Sequence, residues 1–169
     1  MKKYIVLIVL FATTFANAQD TPISAFLEKW ENSKQYLVEM AEAMPEDKYD
    51  FKPTERQKTF KEQLLHIKQN MDWLSSTYFS KETKNDQKEA TYTTKVEVIA
   101  ALKIAFDNTA TIIKKASPEE LKEIVKFFAG PKTKLQILNL LQDHVSHHRG
   151  QLIVYLNLNG IKPPRYRGW

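Results

Sequence analysis

The sequence predicts an all-α protein built as a single four-helix bundle. Three observations point there. Four long segments carry apolar residues at the three-and-four spacing of a helix. The stretches between them are polar or charged and short of glycine, with only 4 glycines in 169 residues, whereas an all-β chain spends glycine on its turns. No repeat, low-complexity tract or second hydrophobic pattern interrupts the series, and this length supports one domain with a sizeable core.

The first helix opens at Thr21-Pro22, a capping residue followed by proline at the first helical position. Phe26, Leu27, Trp30, Leu37, Met40, Ala41 and Met44 recur along it, and Pro45 ends it. Glu46 to Lys58 is a polar connection whose Tyr49, Phe51 and Pro53 predict packing on the bundle. Thr59 and Glu62 form a capping box that starts the second helix. Its stripe is Phe60, Leu64, Ile67, Met71, Leu74 and Tyr78, and Trp30, Trp73 and Tyr78 read more readily as core than as a stacking platform. Ser80 to Thr93 is a long charged connection. Thr94 and Glu97 give another capping box, opening a third helix with Val96, Ile99, Ala100, Lys103, Phe106, Ala110 and Ile113 expected on its buried side and Lys103 snorkelling outward. Ser117 caps a short extra helix, and Val125 to Gly130 is an apolar crossing that helical and extended structure fit equally. Lys132 to Asn159 is the last helix, stopped by Gly160. The tail from Pro163 to Trp169 is expected to lie over the surface.

Composition narrows the function classes. There is no cysteine, which excludes disulfides, thiolate ligands and a cysteine nucleophile, so any metal site must use nitrogen and oxygen. Residues 1–18 read as a signal peptide: Lys2 and Lys3, an apolar run from Ile5 to Phe15, and the small-residue site Ala16-Asn17-Ala18. That run is too short for a membrane span, which needs roughly 20 residues, so no stable span is expected after cleavage. The expected domains are therefore 1–18 and 19–169, with the product periplasmic or secreted. Cleavage would take two of the 25 basic residues and none of the 20 acidic ones, lowering the net charge from +5 to +3. A charge this small, with lysines interleaved among glutamates, does not suggest nucleic acid.

Chemistry concentrates in Asp143-His144-Val145-Ser146-His147-His148-Arg149-Gly150-Gln151, which holds three of the four histidines. On a helical wheel His148 lies about 30° from the apolar centre, His144 about 70° and His147 about 130°. His144 and His148, one turn apart, are thus the pair able to converge on one ion, and His147 points largely outward. His66 sits at the edge of the second helix's buried face and can complete a set of three. Such a set leaves coordination positions open, as catalytic centres do. Gln63, Asn70, Asp143, Gln151 and Tyr155 are candidates to orient ligands or line a pocket, with Trp73 beside them. Arg149 could hold an anionic substrate, and Gly150 leaves room for a close approach. No catalytic residue can be singled out, and His147, Arg149 and Tyr155 stay unranked as proton-transfer or anion-binding groups.

The run His144 to Leu152, followed by Tyr155-Leu156 and Gly160-Ile161-Lys162-Pro163-Pro164, resembles the C-terminal signature of the DinB family, and Phe60 to Met71 resembles its second helix. The resemblance implies an up-up-down-down bundle, often a homodimer, with a divalent metal held by His66, His144 and His148. Zinc or nickel lead, with iron or manganese admissible. It also implies a metal-dependent hydrolase or thiol transferase acting on a small molecule. The alternative is a non-catalytic metal-binding or stress-associated module for dimerisation or interaction.

Overall fold

The structure is a computed structural model and describes residues 21–81 and 90–168. The expected signal peptide, most of the connection after the second helix and Trp169 lie outside the described residues.

Among the described residues four α-helices carry the fold: α1 Pro22–Ala43, α2 Phe60–Tyr78, α3 Lys95–Lys114 and α4 Lys134–Leu158. Every one begins with a threonine cap whose hydroxyl accepts from the third residue of the helix, while that residue's side chain reaches back: Thr21 with Ser24, Thr59 with Glu62, Thr94 with Glu97, Thr133 with Gln136. These boxes satisfy backbone donors that a helix start otherwise leaves open. Past the end of α4, Gly160 takes φ +70°, and the Ile161 N–H donates to Leu156 O at 2.9 Å, closing the last turn.

α3 packs against α1 and α2, and α4 packs against α2 and α1. Cross-helix contacts fix the directions. Trp30 Nε1 donates to Phe106 O while Lys95 reaches Met44 O, so α1 and α3 are antiparallel. Gln63 meets Gln151 and His66 meets His144, so α2 and α4 are antiparallel. Ser33 meets Gln142 and Tyr36 meets Arg149, so α1 and α4 run together. In chain order the bundle therefore reads up-down-down-up. The up-up-down-down order implied by the resemblance holds only around the bundle, taken as α4, α1, α3, α2. Trp30, Leu37, Met40, Phe60, Leu64, Ile67, Phe106, Leu141, Val145 and Leu152 fill the space between the helices, each with at most 1% of its surface exposed.

The connections bear on the expectations. Glu46–Lys48 is a 3-10 turn, and Tyr49 beyond it is buried, donating to Ala41 O at 2.7 Å. Between α3 and α4 both expected forms occur: a 3-10 turn at Glu120–Lys122, its first N–H held by Ser117 Oγ, then a two-stranded antiparallel ribbon. Its strands, β1 Ile124–Val125 and β2 Lys132–Thr133, turn through Gly130 at φ +90°. Because Lys132 and Thr133 pair in this ribbon, α4 starts at Lys134 and not at Lys132. The tail lies across α1, with Arg167 on Glu39 and the Tyr166 ring edge-on to Tyr36.

One helical face differs from the expected one. The buried side of α3 is Val98, Ala101, Leu102, Ala105, Phe106, Thr109 and Ile113. Val96 is 74% exposed, and Ala100 and Lys103 face solvent, with Lys103 near Glu42. The segment from Val96 to Phe106 is apolar on most sides, so periodicity alone leaves its phase free. Contact with α1 and α2 selects the small residues at 101 and 105.

Candidate metal centre

The two capped, antiparallel helices α2 and α4 bring together residues far apart in the chain. His66 comes from the middle of α2, and His144 and His148 from consecutive turns of α4. The Nε2 atoms of His144 and His66 are 3.2 Å apart, and so are those of His148 and His144. One nitrogen from each of the three rings lies within 4.8 Å of the others. All three rings sit at the seam between the helices, at least half-buried, with His148 expected to point furthest inward.

Electrostatics keeps the cluster neutral. Burial, and then repulsion from His148, His66 and His147 were they charged, push His144 down to about 4 from the ordinary 6.5. Burial followed by the charge of Lys58 lowers His66. Burial also lowers His148, opposed by a hydrogen bond to Gln151 and reinforced by His66, His147 and Lys58. At neutral pH each ring therefore offers a lone pair. Two nitrogens each about 2 Å from a tetrahedral ion lie about 3.3 Å apart, close to the two spacings seen here. The donor set fits a divalent transition metal.

The surrounding residues divide. Gln151 Oε1 lies 2.8 Å from His148 Nδ1 and accepts from Gln63 Nε2 at 3.0 Å, while Gln151 Nε2 lies 3.3 Å from His147 Nε2. Gln63 Oε1, Asn70 Oδ1 and His144 Nδ1 are buried without a hydrogen-bond partner among the described residues. His147 is exposed, its ring centroid 4.8 Å from that of His148. The other candidates face elsewhere. Arg149 lies over the Tyr36 ring at 5.0 Å, on the α1 side, a cation–π contact in place of an anion site. Tyr155 donates to Lys58 O at 2.7 Å and clasps the connection before α2. Trp73 is not core: it is 37% exposed and stacks on Phe127 and Phe128, two turns along α2 from His66. Asp143 is exposed, and a Cβ on Gly150 would meet nothing within 4 Å, so no close approach needs that glycine. Sequence reasoning missed Lys58, whose charge acts on two of the three histidines. The signal available was its position next to the Thr59 cap, on the side where α4 ends.

A family model described as the DinB family matches residues 15–168. Among solved structures, a DinB-like protein from Bacillus subtilis is 20% identical with a TM-score of 0.69, covering 84% of this chain and 96% of that one. A DinB-like protein from Bacillus cereus is 19% identical with a TM-score of 0.69, covering 84% and 95%. A conserved protein from Enterococcus faecalis is 14% identical with a TM-score of 0.58, covering 79% and 94%. At these identities the structures speak to the fold. No curated protein is matched.

Proposed function

The chain belongs to the DinB family, and from that premise we propose that it is an exported, metal-dependent enzyme acting on a small molecule by hydrolysis or thiol transfer. His66, His144 and His148 would hold the ion, zinc or nickel first, iron or manganese next. The observation that carries the reading is the convergence of three neutral Nε2 atoms from two helices, at spacings one ion would impose.

An ion in a three-nitrogen site supplies Lewis acidity for a substrate carbonyl, or for a water or thiol nucleophile. The chain's own residues do the rest. Packing of α2 against α4 holds the three rings in place. His147 is exposed at the rim, with its Nε2 beside the Gln151 amide, and is placed to exchange a proton with solvent. A closed structural centre would want a fourth protein donor. Asp143 is exposed, and His147 turns its Nε2 to Gln151, which favours an open centre over a purely structural one.

Export rests on the pattern of residues 1–18, and the homodimer on the resemblance. Cell fractionation and sedimentation test these two parts. The central test is elemental analysis of protein purified without chelator or His-tag. Wild type should carry about one ion per chain, and His148→Ala almost none, with unchanged helical circular dichroism. Equal metal content in the two proteins would refute the reading. Ester, amide and thiol-transfer substrates, each assayed with and without chelator, then separate the two reaction classes.

A further inference from the structure

Building on the three-histidine reading, we propose that Gln63 and Gln151 form a paired-amide relay that fixes His148 in its ligating tautomer, making Gln151 a positioning residue of the centre.

Gln151 Oε1 has two close neighbours, His148 Nδ1 at 2.8 Å and Gln63 Nε2 at 3.0 Å. An amide oxygen only accepts, so both neighbours donate. His148 then carries its proton on Nδ1, and its Nε2 presents a lone pair toward His144 and His66. Turning the Gln151 amide over would aim its NH2 at His148 and at the NH2 of Gln63. His148 would have to shift its proton to Nε2, where it blocks ligation, and two donor groups would face each other. Only a matching turn of the Gln63 amide, a side chain 2% exposed, would relieve that clash. At the far end of Gln151, Nε2 lies 3.3 Å from His147 Nε2, a contact that either orientation of the amide can use with the matching His147 tautomer.

The register of the two helices makes the relay possible. Gln63 precedes His66 by one turn on α2, and Gln151 follows His148 by one turn on α4. Because the helices are antiparallel, both amides fall on the same side of the histidine cluster. The arrangement carries a cost: Gln63 Oε1 is buried with no partner among the described residues, a state that ordinarily destabilises. A buried polar group kept half-satisfied beside a ligand cluster calls for an explanation other than stability. Holding the amide that orients His148 supplies one. His144 differs from His148 here, since its Nδ1 is buried without any partner.

The test uses Zn(II) competed against a chromophoric chelator at neutral pH, with wild type, Gln151→Leu, Gln151→Glu and Gln63→Leu. A carboxylate at 151 still accepts from His148 Nδ1–H and from Gln63, so Gln151→Glu should bind within a few-fold of wild type. Gln151→Leu should weaken binding by about 10–100-fold, the usual effect of losing a ligand's outer partner, and Gln63→Leu should fall in between. The second readout is the nitrogen spectrum of 15N-histidine in the metal-free proteins. It should show His148 as the Nδ1–H tautomer in wild type and Gln151→Glu, and shifted toward Nε2–H in Gln151→Leu. Wild-type zinc affinity in Gln151→Leu, or a Gln151→Glu protein as weak as Gln151→Leu, overturns the relay. A wild type that takes no zinc sinks the metal reading, and the tautomer spectra still decide the relay.

Discussion

The histidines set how the metal-free protein responds to acid. A ring whose folded pKa lies below its unfolded value leaves the unfolded chain holding more protons, so stability rises with pH across the gap. For His144 the gap runs from about 4 to 6.5, and His66 and His148 shift in the same direction. Metal-free protein should therefore lose stability progressively as pH falls from 6.5 toward 4. From this source it should show no change above that window. Urea unfolding at a series of pH values checks it, and His144→Gln should flatten the slope. An unchanged slope in that variant would place the proton uptake elsewhere. At this scale the sequence was informative because helical spacing is rigid: His144 and His148 had to be neighbours, and a wheel sufficed to set His147 apart. What it could not show was where Arg149 and Tyr155 would go. Both are long side chains whose partners, Tyr36 and Lys58, come from distant parts of the chain.

Among the elements, the capping boxes were the most legible feature and the buried face of α3 the least. A capping box is a local device, written in four residues, and the boxes read at Thr59 and Thr94 are both formed. Thr94→Ala should destabilise the protein by about 1 kcal/mol, the usual loss for an N-cap, measured by denaturant unfolding. Glu97, across the same box, is held well below the carboxylate range by the backbone N–H groups of Thr94 and Thr93. The phase of α3 was misread because its sequence offers apolar residues on most sides, and only tertiary contact chooses among them. The start of α4 was placed two residues early because Lys132 and Thr133 have nothing against helix except a strand to pair with. Gly150 was read as making room, yet it sits in the helical interior of α4, exposed, with open space where a Cβ would stand. Gly150→Ala should accordingly stabilise the fold by about 0.5–1 kcal/mol, and a loss of stability would show that a bare backbone is needed there.

For the molecule as a whole, the fold class followed from composition and periodicity, but the order of helix directions did not. Direction depends on which ends meet, and that is decided by pairs such as Trp30 with Phe106 and Ser33 with Gln142, which no local pattern announces. A ligand that binds only the folded chain stabilises it by about 2.7 kcal/mol at one hundred times its Kd. At about 2–4 °C per kcal/mol for a chain of this size, saturating zinc should raise the melting temperature by several degrees, reversed by chelator and absent in His148→Ala. Calorimetry with and without the ion measures it. The His66 and His144 ring nitrogens that lie 3.2 Å apart belong to residues 78 positions apart, the first on α2 and the second on α4. Until that helix has docked there is no trap for an ion, only a lone imidazole and a loose pair. On the proposed reading, the metals around the chain when it closes up would bear on which one is captured, and an exported chain would draw on the supply outside the cytoplasm.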